Sequence, residues 1–303
     1  LITQQEITEI LQAPERFRLL RLNPFEDSIN INGDNIEFKP LILRDNLQDK
    51  PTNKKLILLD TETTGLDTNV DEIIELAFVV VTYDPLTNVM VSIDNVYDGF
   101  NQPTKPISEK IQAITGITNE MVEGKHIDYN SFKAYLPTGK YLIVAHNAGF
   151  DRKFVERIYP EIAGKPWADS LTEIDWLSRG CTKSSLEMLM YYQGLFYNAH
   201  RAVNDCLALG AVINFNNALE ELLANASRIM YDIEISVSYD NRMFPKNLGF
   251  KWRKENTSWV KSYKDLNEWE TDREYLNTKN VFYKLISQTE NTCLTRFAKV
   301  ETK

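Results

Sequence analysis

Apolar and polar positions along this chain fall into two rhythms. Four consecutive aliphatics at Leu56–Leu59 and the run Tyr141–Ala145 predict short strands buried on both faces. Glu72 to Val81 is rich in β-branched residues, Tyr83 to Asn88 supplies a turn, and Val89–Ile93 and Val96–Phe100 continue the pattern, so an antiparallel meander is expected. Helical spacing follows each buried run. Asn147 is placed to cap a helix through Arg157, Ser184 to Gln193 forms a second that Gly194 ends, and Ala202 to about Ala224 a single long third. Pro103 to Val122 reads as a loop followed by helical turns broken at Gly116 and Asn119. A buried strand entered after a helix is typical of a mixed sheet.

Both flanks have a different character. Thr3 to Glu6 has the form of a capping box opening a short helix through Gln12, and Pro14 can start a second carrying Phe17, Leu19 and Leu20. Ser28–Ile31 and Ile36–Phe38 flank an Asn32-Gly33 step, a hairpin signal, and the polar stretch Asn46–Asn53 with Pro51 is expected to be a linker. After about Ile229, Ile233–Tyr239 alternates like a strand, and Phe250–Arg253 and Ser258–Lys261 predict a hairpin around Lys254–Thr257. The expected organisation is an N-terminal extension over 1–53, a main domain over 54–227 and a small α+β module over 228–303.

Composition narrows the classes. With 303 residues, 43% hydrophobic and 25% charged, the chain is an ordinary globular protein. No apolar run is long enough to span a membrane and no secretory segment opens the chain, so no membrane partner and a cytoplasmic location are expected. Leu1 stands where a methionine is usual, which leaves room for residues upstream. Cys181, Cys206 and Cys293 are widely spaced and odd in number, and are read as reduced thiols. A net charge of -9 argues against wholesale wrapping of nucleic acid while leaving room for local basic patches. Such a patch lies in Asn241–Lys264, where Arg242, Lys246, Lys251, Arg253, Lys254, Lys261 and Lys264 face one acid, Glu255, with Trp252 and Trp259 among them. Aromatic faces interleaved with cations suit single-stranded nucleic acid, whereas both tryptophans could equally fill the module's own core.

Candidate chemistry starts at the first buried run, which continues Asp60-Thr61-Glu62-Thr63-Thr64-Gly65. Side chains alternate along a strand, so Asp60 and Glu62 share one side and repel. A hard divalent metal bound through oxygen would relieve that repulsion. Two further clusters follow: His146-Asn147-Ala148-Gly149-Phe150-Asp151 after the second buried run, and His200-Arg201-Ala202-Val203-Asn204-Asp205 at the opening of the late helix. Five residues separate His200 from Asp205, roughly 140° around a helix, so His200 is placed on the preceding loop and Asp205 on the helix. His146 adjoins a strand end and is expected to pack or hydrogen-bond. His126 is read as a surface loop residue, Asp169 as structural, and Asp67, Asp71, Glu72 and Glu75 as a solvated turn and strand rim.

These three clusters resemble the motifs of the DEDDh exonucleases, the DnaQ-like family that includes the epsilon proofreading subunit of bacterial DNA polymerase III. Asp60-x-Glu62 with Thr-Thr-Gly resembles the first motif, Asn147-x-x-Phe-Asp151 the second and His200-x4-Asp205 the third, and Ile114–Val122 is similar to the region between motifs. The likeness covers roughly Leu56 to Phe215. It departs at Thr115, where many relatives carry histidine, and at Lys110, where many carry glutamate, which touches the grip on the terminal nucleotide and not the metal site. The flanks resemble, more loosely, epsilon-like exonucleases with added terminal segments.

The resemblance implies an α/β, ribonuclease H-like mixed five-stranded sheet flanked by helices. It implies a 3′-to-5′ exonuclease that releases nucleoside monophosphates from single-stranded or frayed DNA 3′ ends by two-metal hydrolysis. Asp60, Glu62, Asp151 and Asp205 would be the acidic ligands of two Mg²⁺ or Mn²⁺ ions. His200 would be the general base, since imidazole titrates near neutral pH. Thr61, Thr64 and Asn147 are candidate substrate contacts. Proofreading would require a separately supplied polymerase partner. Two alternatives stay open: an exoribonuclease trimming RNA 3′ ends, because the carboxylates do not distinguish sugars, and a non-catalytic module that binds nucleic acid or a polymerase.

Overall fold

Hydrophobic runs set the centre of the fold. In a computed structural model that describes residues 50–215, 217–254 and 256–298, with the backbone of 21–22, 28–31 and 34–37, the first run becomes strand β1 (Lys54–Thr63). β2 (Ile73–Asp84) pairs antiparallel with it and β3 (Val89–Phe100) antiparallel with β2, as the meander expectation has it. The two stretches expected at Val89–Ile93 and Val96–Phe100 are one strand whose register shifts twice. β4 (Tyr141–Ala145) joins β1 in parallel and β5 (Trp167–Asp169) joins β4 in parallel, giving the mixed order β3-β2-β1-β4-β5.

Helices cover both faces. α1 (Glu109–Thr115) ends at Gly116, whose φ of 70° gives the left-handed cap that lets the chain turn into α2 (Asn119–Val122) and then α3 (Tyr129–Lys133). α4 (Ala148–Ile158) follows β4, α5 (Leu186–Tyr192) follows β5, and the last long helical stretch divides into α6 (Ala202–Ile213) and α7 (Ala218–Ser227). A single helix was expected there. It breaks because Asn217 takes φ 58° and the side chain of Asn214, at the end of α6, accepts from the Met90 N–H. Leu56 and Leu58 pack with Leu209, Val212 and Leu219 on the α6 side; Ile57 and Leu59 pack with Phe154, Val155 and Trp167 on the α4 side. α6 lies close on β1 because Gly210 has no side chain: a Cβ there would come within 2.9 Å of Leu58 Cδ1.

The module beyond α7 has its own core. β6 (Met230–Val237) is flanked by β8 (Ser258–Tyr263) and β9 (Tyr283–Asn291), with β7 (Lys251–Arg253) at the edge, all antiparallel. The expected hairpin pairs Trp252 with Trp259. Between these strands lie α8 (Met243–Asn247) and α9 (Leu266–Thr278), and Ile233, Ile235, Trp259, Tyr263, Trp269 and Leu276 are buried together.

The expected boundary at 227/228 is not the last crossing of the chain. After β9 the backbone returns to the first domain as a strap. Trp167 N–H donates to the Cys293 carbonyl (2.8 Å), and Arg152, 1% exposed, donates to the carbonyls of Leu294 (2.7 Å) and Arg296 (2.6 Å). Arg296 in turn pairs with Glu173. Of the N-terminal expectations, Ser28–Ile31 pairs antiparallel with Asp34–Glu37, and Arg21–Leu22 runs parallel to Leu195–Phe196; the two helices lie outside the described residues, as does the first half of the linker. Among the described residues no helix is long and apolar enough to cross a membrane. The three cysteines are free thiols.

Candidate active site

Strand parity decides what meets what at the end of β1. Positions 56, 58, 60 and 62 face α6, so Asp60 and Glu62 meet Asp205 in its first turn. One carboxylate oxygen from each of the three lies within 4.8 Å of the others. Positions 57, 59 and 61 face α4. β4 pairs with β1 only through Leu58, and past that point the Thr61 N–H (3.1 Å) and hydroxyl (2.7 Å) both donate to Asp151 Oδ1. Asp151 thus reaches the strand from the opposite side and stands outside the three-oxygen cluster.

Electrostatics follow from the crowding. Burial first, then the charges of Asp205, Asp151 and Glu62, hold the Asp60 carboxyl well above the usual carboxylate range. Glu62 is pushed up to about 8, by burial and then by Asp205 and Glu75. Burial raises Asp151 to about 7 against the downward pull of Thr61. Asp205 rises to about 6, again by burial, restrained by the Tyr197 hydroxyl (2.8 Å) and the nearby His200. A set of oxygen donors that resist ionising together suits a hard divalent cation, whose charge would remove the penalty.

His200 and His146 separate cleanly. His200 is exposed on the loop just before α6, in a left-handed conformation with φ 65°. His146 spends both ring nitrogens on the fold: Nε2 donates to the Ser184 carbonyl (2.7 Å), which leaves Nδ1 to accept from the Ser170 hydroxyl (2.8 Å). Burial lowers its pKa, consistent with a neutral ring. Asp169 is buried and accepts from Asn147 N–H, Leu171 N–H and the Thr172 hydroxyl, the structural role expected of it. His126 is exposed in a loop.

The candidate substrate contacts divide. Thr61 is buried and its donors serve Asp151; the Thr64 hydroxyl donates to Asp71 (3.2 Å) and accepts from Glu72 N–H (3.0 Å). Asn147 is exposed at the start of α4 with φ 88°, and it makes no side-chain capping bond, contrary to the capping expectation, because the left-handed backbone turns it away from the helix.

Glu75 corrects the expectation of a solvated rim. It is 0% exposed, directly across the ladder from Glu62, and it binds Arg201 Nη2 (2.9 Å) and Nε (3.1 Å) and the Ala202 N–H (2.9 Å). It therefore pins the start of α6, and with it the His200 loop. The sequence carried a signal, since a lone acid inside Ile-Ile-Glu-Leu-Ala-Phe demands a buried partner. Tyr197, which holds Asp205, had no comparable signal.

Residues 57–213 match the exonuclease family, a span that encloses every residue from Asp60 to Asp205. The chain is 33% identical over 162 residues to the PolC-type DNA polymerase III of Thermotoga petrophila, covering 50% of this chain and 11% of that one. To the PolC-type enzyme of Staphylococcus aureus it is 30% identical over 203 residues, 64% of this chain and 13% of that one. It thus spans only 11% to 13% of the length of these relatives. Among solved structures, exonuclease X in complex with 5′-overhanging duplex DNA aligns at 27% identity with a TM-score of 0.41, over 56% of this chain and 98% of that one.

Proposed function

The chain belongs to the exonuclease family, as a DnaQ-like 3′-to-5′ exonuclease, and from that premise we propose that it removes nucleoside monophosphates from single-stranded or frayed DNA 3′ ends with two Mg²⁺ or Mn²⁺ ions. The observation that carries this is the cluster of Asp60, Glu62 and Asp205 oxygens within 4.8 Å, with Asp151 held against the same strand end. Those four carboxylates would hold the ions. Bound there, a divalent pair supplies activation of a water and charge stabilisation of the leaving oxygen in an in-line displacement at phosphorus.

The chain's own groups do the rest. His200, exposed on its loop, accepts the proton of the attacking water. Glu75 and Arg201 fix the loop, and Tyr197 and the backbone of Arg201 orient Asp205. Thr61 orients Asp151, and Asn147 at the mouth of α4 is the contact best exposed to a substrate. DNA is favoured as substrate, and a polymerase as partner, because the matched relatives are DNA polymerase III chains. The complete set of four acids and a histidine speaks against a non-catalytic binding role. Incubation with 5′-labelled single-stranded DNA or RNA, with Mg²⁺, with Mn²⁺ and with a chelator, tests the reading. A ladder shortening from the 3′ end of DNA, abolished by chelator, is expected. RNA cut in preference would move the assignment to an exoribonuclease, and intact strands under every condition would sink it.

A further inference from the structure

The basic window of the C-terminal module divides once its side chains are placed. Lys261 is committed inward, donating to Asp272 (2.5 Å) and the Leu248 carbonyl (2.7 Å), and Arg253 reaches Glu234 (3.5 Å). Lys246 on α8, Lys251 on β7, and Lys254 and Lys264 are exposed and form no ion pair among the described residues. Arg242 lies over the exposed ring of Tyr239, 3.8 Å from its centroid. An acidic protein thus presents several uncompensated cations on one small module.

The two tryptophans divide as well. Trp259 is 9% exposed and belongs to the module's core, so it is no stacking platform. Trp252, opposite it on the edge strand, is 51% exposed. Its ring meets that of Trp259 in an edge-to-face contact at 5.3 Å, which braces the indole while half of its surface stays exposed. A groove of about 530 Å³ is lined by the edge strand from Lys251 to Arg253 and by Val260, Lys261 and Ser262, with the Lys251 and Arg253 side chains on the sheet face opposite the Trp252 indole. The acid on its wall, Asp232, accepts from the Ser262 hydroxyl and the Asn291 amide.

We infer that this edge of the module, centred on Trp252 with Lys246, Lys251 and Lys254, is a binding surface for single-stranded nucleic acid, separate from the carboxylate site. A half-exposed indole braced by its neighbour stacks on an unpaired base and gains nothing from a paired one. Exposed lysines on the edge strand (Lys251), just past its end (Lys254) and on the helix before it (Lys246) would release counterions from phosphates without reading sequence. The inference deepens the proposed function, since the strand held would be the one whose end is cut.

Binding of a labelled 15-nucleotide strand to the full chain is measured by anisotropy in chelator, across a range of NaCl, with DNA, RNA and blunt duplex as arms. Trp252→Ala is expected to weaken binding roughly 5- to 100-fold, with Trp252→Phe restoring most of it. The triple variant Lys246→Glu/Lys251→Glu/Lys254→Glu is expected to reduce the slope of log affinity against log salt by about 2. Parent-like affinity and slope in both variants would overturn the inference, as would tighter binding of duplex. Displacement of the strand by polyglutamate at matched charge would overturn it too, pointing to an acidic protein segment instead. Because chelator prevents cleavage, loss of the proposed function would show separately, as an uncut strand in Mg²⁺ that still binds.

Discussion

Two Asp-x-Glu pairs stand on central strands of this protein, Asp60 and Glu62 on β1 and Asp232 and Glu234 on β6, and their surroundings are opposite. Glu234 accepts from the Ser258 hydroxyl, the Asn256 amide (3.1 Å), the Ser287 hydroxyl (3.2 Å) and Arg253; Asp232 accepts from Ser262 and the Asn291 amide (2.7 Å). Burial raises the Glu234 carboxyl, but these donors outweigh it and hold the group below its ordinary range. Asp60 and Glu62 instead face Asp205 and Glu75, and are driven up. One pair is satisfied by its own chain. The other meets like charges and would be completed by a cation from outside, so the same three-letter pattern builds structure in one place and a candidate site in the other.

Removing a member of each pair separates the two roles. Asp60→Ala or Asp205→Ala should abolish nuclease activity while the metal-free protein melts at the same or a higher temperature, because a repelling charge is gone. Activity within a few-fold of the parent would contradict the ligand assignment. His200→Ala should lower turnover roughly a hundredfold to ten-thousandfold with metal affinity, measured by calorimetry, little changed. If His146→Ala gives the large loss instead, the two histidines exchange roles. Glu234→Ala should act in the opposite sense to the β1 variants. It should cost about 1–3 kcal/mol in urea melts, through the donors it strands, while turnover of the folded protein persists.

The smallest effect is a pH dependence of opposite sign. Glu62, Asp151 and Asp205, at about 8, 7 and 6 in the fold, lie above the value of about 4 usual for unfolded carboxylates. Their contribution is intact below pH ~4 and is lost as pH rises, fully so past about 8. The metal-free protein should therefore melt lower at pH 8 than at pH 5, and added Mg²⁺ or Mn²⁺ should remove the difference. Glu234, held low, contributes above its unfolded value and loses that contribution on acidification, so Glu234→Ala should flatten the acid limb of the melting profile. A metal-free melting temperature that climbs from pH 5 to 8 would refute the crowding argument.

How far the sequence carried follows from the range of each interaction. Leu56–Leu59 and Tyr141–Ala145 announce buried strands by local run, and the motifs at Asp60, Asp151 and His200–Asp205 announce carboxylates at element ends, so the sheet and the placement of the candidate site residues were both legible. The hairpin pairing Trp252 with Trp259 was legible too, since its turn is local. What stayed hidden depends on partners far along the chain. Glu75 meets Arg201 across 126 positions, and Arg152 meets the Leu294 carbonyl across 142. A backbone carbonyl carries no residue signature, so no motif marks the strap. Asp151's separation from the other three acids rests on parity, which becomes visible only when Thr61 is seen to face α4.

The strap bears on the order in which the molecule can be completed. α4 carries Asp151, and its buried Arg152 finds the Leu294 and Arg296 carbonyls only after the whole intervening module has been traversed. A chain leaves the ribosome N-terminus first and folds domain by domain. The nuclease fold, though its sheet is made early, would wait with Arg152 paired to Glu156 through Nε and with both Nη groups unfilled until residues 293–296 emerge. Chains interrupted within the module would then be unfinished at the helix that carries Asp151, so nuclease activity is expected to appear only once synthesis has passed through the strap.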